Sequence, residues 1–206
     1  ASGAALSQLY AIGRGPGGAA AARSIHSGQP LYRLDVHALQ GERLDKGLQP
    51  LRDVEEMACR LVDIILAAQR RGPYRIAGEC DGAVVGFAVA VELQRRGKQV
   101  TQLILCDAPA PGQARGAGSG AALFARLGRQ FKALHRDLGM AGRLREIIRN
   151  QHIEYAVSRA LDCYGPSERF DGSIILARSA GAADTRDGER AMDWARYASM
   201  GVQVHD

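Results

Sequence analysis

The chain has 206 residues, 46% of them hydrophobic, and a formal net charge of +5. That length buries one good core and leaves no room for two ordinary domains and a linker, so 1–206 reads as a single domain. No apolar run approaches the ~20 residues that span a bilayer, and residues 1–5 lack the charged and apolar regions of a secretory signal. A cytoplasmic domain, monomeric and with no membrane contact, is the expectation. The positive charge is mostly arginine spread along the chain, and aromatic residues are only 5%, so nucleic-acid binding is not expected. Cys59, Cys80, Cys106 and Cys163 are scattered with no C-x-x-C pair, which argues against a metal site and against a disulfide scaffold.

Short β-rich runs alternate with longer helical patterns, the signature of a mostly parallel sheet covered by helices. Residues 8–12 read as a strand, followed by a glycine-rich turn over 13–18, and residues 31–36 as the next strand. A helix is expected over 54–69, with Asp53 as its cap and Glu56 three residues on in capping-box spacing. Residues 74–78 form a third strand, and residues 83–96 a helix apolar nearly all round, stopped by Gly97. Such a helix belongs in the centre of a fold. The mostly apolar stretch over 100–106 reads as a strand buried on both faces. Composition then shifts to Gly, Ala and Ser over 112–120, followed by helical patterns over 122–138 and 143–161. This interruption of the alternation, 112–165, is read as a helical lid insertion. Strands resume at 173–177 and 202–205.

Gly78-Glu79-Cys80-Asp81-Gly82 falls where a strand ends and a helix begins. That is the setting of a nucleophile elbow, with Cys in place of the more usual Ser. The turn is sharp, so side chains two residues before and after the nucleophile would clash. A position just before a helix also aims backbone N–H groups at the sulfur, which favours a thiolate. A tight turn with an incidental cysteine is the alternative. Glu79 and Asp81, if ionised beside the sulfur, would oppose the thiolate; either they point away or the site uses one of them. The residue after an elbow nucleophile donates its N–H to the oxyanion, a role open to Asp81. Asp107 ends the fourth strand, at the sheet edge where sites of α/β folds form, and could orient a histidine. It could equally be a turn-forming Asp before Ala108-Pro109.

Gly13-x-Gly15-x-x-Gly18 matches a dinucleotide-binding pattern, with Asp35 about twenty residues on. A loop that presents a second oxyanion N–H explains the same glycines and fits the elbow. The general base is the gap. Elbow order is nucleophile, acid, then a histidine after the last strand. His135 and His152 fall in the lid region, and His26 precedes the second strand. His37 and His205 are the alternative bases.

Several segments together resemble the thioesterase domains of nonribosomal peptide and polyketide synthetases, which are α/β-hydrolases. These are Pro30-Leu31-Tyr32-Arg33-Leu34 with Leu39-Gln40-Gly41-Glu42, and Asp53-Val54-Glu55-Glu56-Met57-Ala58. They continue with Gly72-Pro73-Tyr74-Arg75-Ile76-Ala77-Gly78 through Glu92-Leu93 to Gly97, and Leu103-Ile104-Leu105-Cys106-Asp107. Phe170-Asp171-Gly172, Trp194 and Val202-Gln203-Val204-His205 close the likeness. The resemblance implies Cys80 as nucleophile, Asp107 as acid, and the N–H groups of Gly15 and Asp81 as oxyanion donors. It implies no bound cofactor; the substrate arrives on the phosphopantetheine of a peptidyl or acyl carrier domain, beneath the lid. The family's histidine follows the last strand by a few residues, so it cannot be carried over to this sequence. Cysteine at the nucleophile position is similar to a minority of the family, in β-lactone (obafluorin-type) and β-lactam (sulfazecin-type) pathways. Release of the chain by ring closure, with hydrolysis as the side outcome, is therefore the expected reaction. A stand-alone editing thioesterase and an inactive hydrolase fold used as a binding module are the alternatives.

Overall fold

Parallel strand pairing requires the chain to cross back after each strand, and here helices make the crossings that are described. The computed structural model describes residues 8–13, 30–106, 110–111, 140–177 and 193–205. In chain order these carry β1 (Leu9–Ile12), β2 (Leu31–Leu34), α1 (Val36–Asp45), α2 (Val54–Ala68), β3 (Tyr74–Glu79), α3 (Asp81–Arg95), β4 (Val100–Cys106), α4 (Met140–Cys163), β5 (Ile174–Ala177) and β6 (Val202–His205). The strands form one sheet in the order β2-β1-β3-β4-β5-β6, and every neighbouring pair is parallel. The expected α/β-hydrolase architecture, a parallel sheet flanked by helices, is the observed one. The connections over 14–29, 112–139 and 178–192 lie outside the described residues, so most of the segment read as a lid does too.

The element expected over 31–36 splits in two. The strand stops at Leu34, and Asp35 caps a new helix by accepting hydrogen bonds from the N–H groups of His37 (2.8 Å) and Ala38 (3.2 Å). A capping Asp satisfies two N–H groups that a strand would have had to pair elsewhere, so the chain turns into α1. The sequence reading missed α1 because its apolar residues make no clear stripe and Gly41 interrupts it. Gly41 has a use: a Cβ there would meet the guanidinium of Arg149 on α4, which reaches across to Asp45 at 2.9 Å. Gln40 is fully buried, yet its amide is satisfied at both ends by the backbone of Leu51, at 2.8 and 2.9 Å. It ties α1 to the chain entering α2.

Asp53 caps α2 as expected, accepting from the N–H groups of Glu55 and Glu56. The apolar face of α2 (Val54, Met57, Ala58, Leu61, Ile65) packs beside α3, whose Ala83, Val85, Phe87, Val89, Ala90 and Leu93 are buried. Trp194 is fully buried, with its ring 5.4 Å from Phe87 and 6.1 Å from Tyr197. The Tyr197 hydroxyl donates to the carbonyl of Pro111. The segment before β6 is thereby fastened to α3 and to the chain beyond β4. α4 runs unbroken from 140 to 163, longer than the helix expected over 143–161, and buries Ile153, Ala156, Val157, Ala160 and Leu161.

Two glycines let α3 approach the sheet. A Cβ on Gly78 would lie 2.5 Å from the Ala83 Cα, and one on Gly82 would collide with the Ile12 carbonyl oxygen and the Gly13 Cα. Backbone on both sides leaves nothing that can swing away. Gly82→Ala should therefore destabilise the protein by ~1–3 kcal/mol through overpacking, read as a lower urea midpoint at unchanged slope.

Glu92 is nine-tenths buried near the end of α3. Hydrogen bonds from Arg95, then from Arg96, hold its carboxyl below the ordinary carboxylate range against the opposing effect of burial. A group whose pKa is lowered on folding contributes stability that is whole above its ordinary pKa and is lost as pH falls through the lowered one. The stability gap between the parent and Glu92→Gln should be widest near neutrality and narrow below about pH 4, measured by urea unfolding across pH.

Candidate active site

Strand register sets the level of each group at the sheet edge. Ile12 of β1 pairs with Leu34 of β2 and with Gly78 of β3, and Glu79 pairs with Cys106 of β4. One residue beyond Glu79 the chain reverses into α3. Cys80 makes that reversal with φ 50° and ψ −118°, the one non-glycine residue of positive φ among the described residues. For a residue with a Cβ this conformation costs of order 1–3 kcal/mol, and it persists only where the surroundings impose it. The Cys80 N–H donates to the Cys106 carbonyl at 3.0 Å, and the Cys80 carbonyl accepts from Ala83 N–H at 3.1 Å. With Gly78 and Gly82 packed on backbone, the turn is held from both ends.

The Cys80 side chain stands exposed at the N-terminus of α3, and Asp81 is the first residue of that helix. Cys80 makes no capping hydrogen bond with its own side chain. The helix therefore turns its positive end toward the side of the sheet edge where the sulfur stands. Glu79 shares the face of β3 taken by Arg75 and Ala77, opposite Gly78, and its stem runs beside Gly13. Its Oε2 is buried without a hydrogen-bond partner. All four cysteines are thiols in no disulfide. Among the described residues no cluster of His, Cys, Asp or Glu could hold a metal ion.

His37 lies in the first turn of α1, mostly buried. Its Nδ1 is 4.0 Å from Asp35 and its Nε2 is 3.5 Å from Glu154 on α4. His205 ends β6, level with Ala177 and exposed. His152 on α4 is exposed. At ~4.8 Å per strand, β2 lies ~10 Å and β6 ~14 Å from the strand that carries Cys80. The structure thus brings His37 to α4 rather than to the elbow, and His205 to the far edge of the sheet. Asp107, Gly15, His26 and His135 lie outside the described residues. The sequence reading did not single out Glu154 or Gln151, whose three-residue spacing places them on one face of α4. That spacing was the available signal.

Known proteins sharpen this picture. The chain matches the thioesterase domain family over residues 7–199. Chondramide synthase cmdD of Chondromyces crocatus is 37% identical over 98 residues, covering 48% of this chain and 2% of the synthase. The chain thus spans a small fraction of that relative's length. Among solved structures, the RedJ thioesterase from the prodiginine biosynthetic pathway in Streptomyces coelicolor superposes with a TM-score of 0.67 at 21% identity, over 98% of this chain and 81% of that one. YbtT, a type II thioesterase from the yersiniabactin NRPS/PKS biosynthetic pathway, superposes with a TM-score of 0.61 at 20% identity, over 100% and 86%. At such identities the superpositions speak for the fold, and the family match speaks for the rest: the chain belongs to the thioesterase domain family.

Proposed function

We propose that this domain releases a peptidyl or acyl chain from the phosphopantetheine of a carrier domain through an acyl-Cys80 intermediate, by intramolecular closure of a strained ring such as a β-lactam. The observation that carries this reading is Cys80 itself, exposed at positive φ between two packed glycines at the N-terminus of α3. The Cys80 thiolate attacks the carrier thioester carbonyl, and the N–H groups of Asp81 and Gly15 receive the developing oxyanion. Collapse breaks the bond to the pantetheine sulfur, which leaves as a thiol after taking up a proton. A nucleophile within the acyl chain then attacks the new thioester, closes the ring and returns Cys80. Water in its place gives hydrolysis. Asp107 is read as the residue that orients the base; the strand spacing favours neither His37 nor His205 as direct acceptor of the thiol proton. Residues 112–165 are read as the lid over the bound chain.

Cysteine suits ring closure for a chemical reason. An acyl-Cys is still a thioester and keeps an activated carbonyl that a weak nitrogen or oxygen nucleophile attacks, whereas an acyl-Ser is a less activated oxoester. A second reading is a stand-alone editing thioesterase; a type II thioesterase shares this fold.

Cys80→Ala should abolish acyl-enzyme formation from a pantetheine-thioester substrate, followed by intact-protein mass spectrometry. Undiminished release by that variant sinks the assignment. Cys80→Ser should still load but shift its product ratio toward hydrolysis, at least tenfold by chromatography. Equal ring formation by the Ser form removes the activation argument. Faster turnover of short, misloaded acyl groups than of full-length chains supports the editing reading.

A further inference from the structure

Glu79 is the last residue of β3, directly before the cysteine, and the mechanism at Cys80 gives it no part. Gly78 faces α3, since a Cβ there would meet Ala83, so the next side chain along the strand leaves on the opposite face. On that face the Glu79 Cβ lies 3.7 Å from where a Cβ on Gly13 would sit, and Glu79 pairs in register with Cys106 of β4. The carboxyl therefore belongs to the same sheet edge at which Cys80 is pinned by its hydrogen bond to the Cys106 carbonyl. Oε2 of Glu79 is shut off from water and accepts no hydrogen bond, and no arginine or lysine of the described residues pairs with the carboxylate. A charge held in this way is poorly screened.

We propose that Glu79 is a positioning residue that keeps the resting Cys80 sulfur a protonated thiol, so that the attacking thiolate forms only when a base takes its proton in the loaded complex. The inference rests on the reading of Cys80 as the attacking group. Two fields meet at the sulfur. The start of α3 favours the thiolate with about half a positive charge. Against it stand the full negative charge of Glu79 on β3 and that of Asp81 in the first turn of α3. Among the described residues β4 adds only the Cys106 thiol at this edge, and β1 is followed by Gly13. Consecutive Cα atoms are about 3.8 Å apart, so the carboxylate acts on the sulfur at short range, and like charge disfavours the thiolate. A whole charge on a poorly screened oxygen outweighs the half charge of the helix end. The arrangement has a chemical use. Small electrophiles and peroxides react with thiolates, so a thiol at rest reserves the nucleophile for an acyl group that arrives with its base in place.

The test is the pH dependence of alkylation of the intact domain by iodoacetamide, read at Cys80 by peptide mass spectrometry. The exposed thiol of Cys163 serves as the internal check that each variant is folded alike. The Cys80 midpoint should lie above about 8.5, the value of a free cysteine. Glu79→Gln should move it down by about one pH unit. The rate at neutral pH then rises only about threefold, because a thiolate loses nucleophilicity as it becomes less basic. Glu79→Asp keeps the charge and should keep the parental profile. The ultraviolet thiolate absorbance at neutral pH, parent minus Cys80→Ala, should be near zero, a reading that needs no change at Glu79. A Cys80 midpoint below the free-cysteine value, a clear thiolate absorbance, or a Glu79→Gln profile that matches the parent overturns the proposal. So does a Glu79→Asp profile that moves as far as the glutamine one. No carrier substrate enters these measurements, so failure to load Cys80 and failure of this inference are separate results.

Discussion

The first turn of α3 lies against β1 and β3 with backbone touching backbone, and this contact governs the rest of the molecule. At Gly78 and Gly82 there is no space for even a methyl group, because the opposing atoms are the main chain of Ile12, Gly13 and Ala83. A chain leaving β3 and entering a helix so close to its own sheet has to reverse within one residue. The reversal falls on Cys80, at φ 50°. The strain there is offset by the burial of α3, whose apolar residues face α2 and the sheet and close over Trp194. Core packing and the posture of one sulfur are parts of a single arrangement.

The same arrangement sets the electrostatics of the edge. Because Cys80 occupies the cap position, the start of α3 carries no side-chain cap, while α1 and α2 are each capped by an aspartate. The starts of α1 and α2 have N–H groups taken by an aspartate side chain; the start of α3 has no side-chain cap and turns its positive end toward the Cys80 side of the sheet edge. Charge elsewhere is managed in pairs. Glu92 is held by two arginines, Arg96 also reaches Asp63, and Arg149 fastens α4 to Asp45 of α1. The exposed pair Arg149–Asp45 contributes little stability alone, but it fixes where α4 lies relative to α1.

His37 and Glu154 show how tertiary placement alters a sequence expectation. In the sequence His37 follows a strand on the active edge, which makes it a candidate base. In the structure the helix that Asp35 begins turns its imidazole toward α4, between the Asp35 and Glu154 carboxylates. A histidine so placed lies between two helices, two strands away from the elbow.

Much was legible in the sequence because its signals were local. The strand–turn–helix context of Gly78-Glu79-Cys80-Asp81-Gly82, the cap at Asp53, the stop at Gly97 and the strand over 100–106 rest on neighbours within a few residues, and the structure has each of them. The sheet order β2-β1-β3-β4-β5-β6 followed from the alternation only as a class, since pairing joins residues far apart in the chain. α1 escaped notice because its stability comes from Asp35, Gln40 and contact with α4 rather than from a stripe of its own. The sequence by itself determined that a sharp glycine-flanked turn would present Cys80, through steric rules acting over five residues. Only the tertiary structure decided what surrounds that turn, because the groups facing it are set by strand register and helix packing across the whole fold.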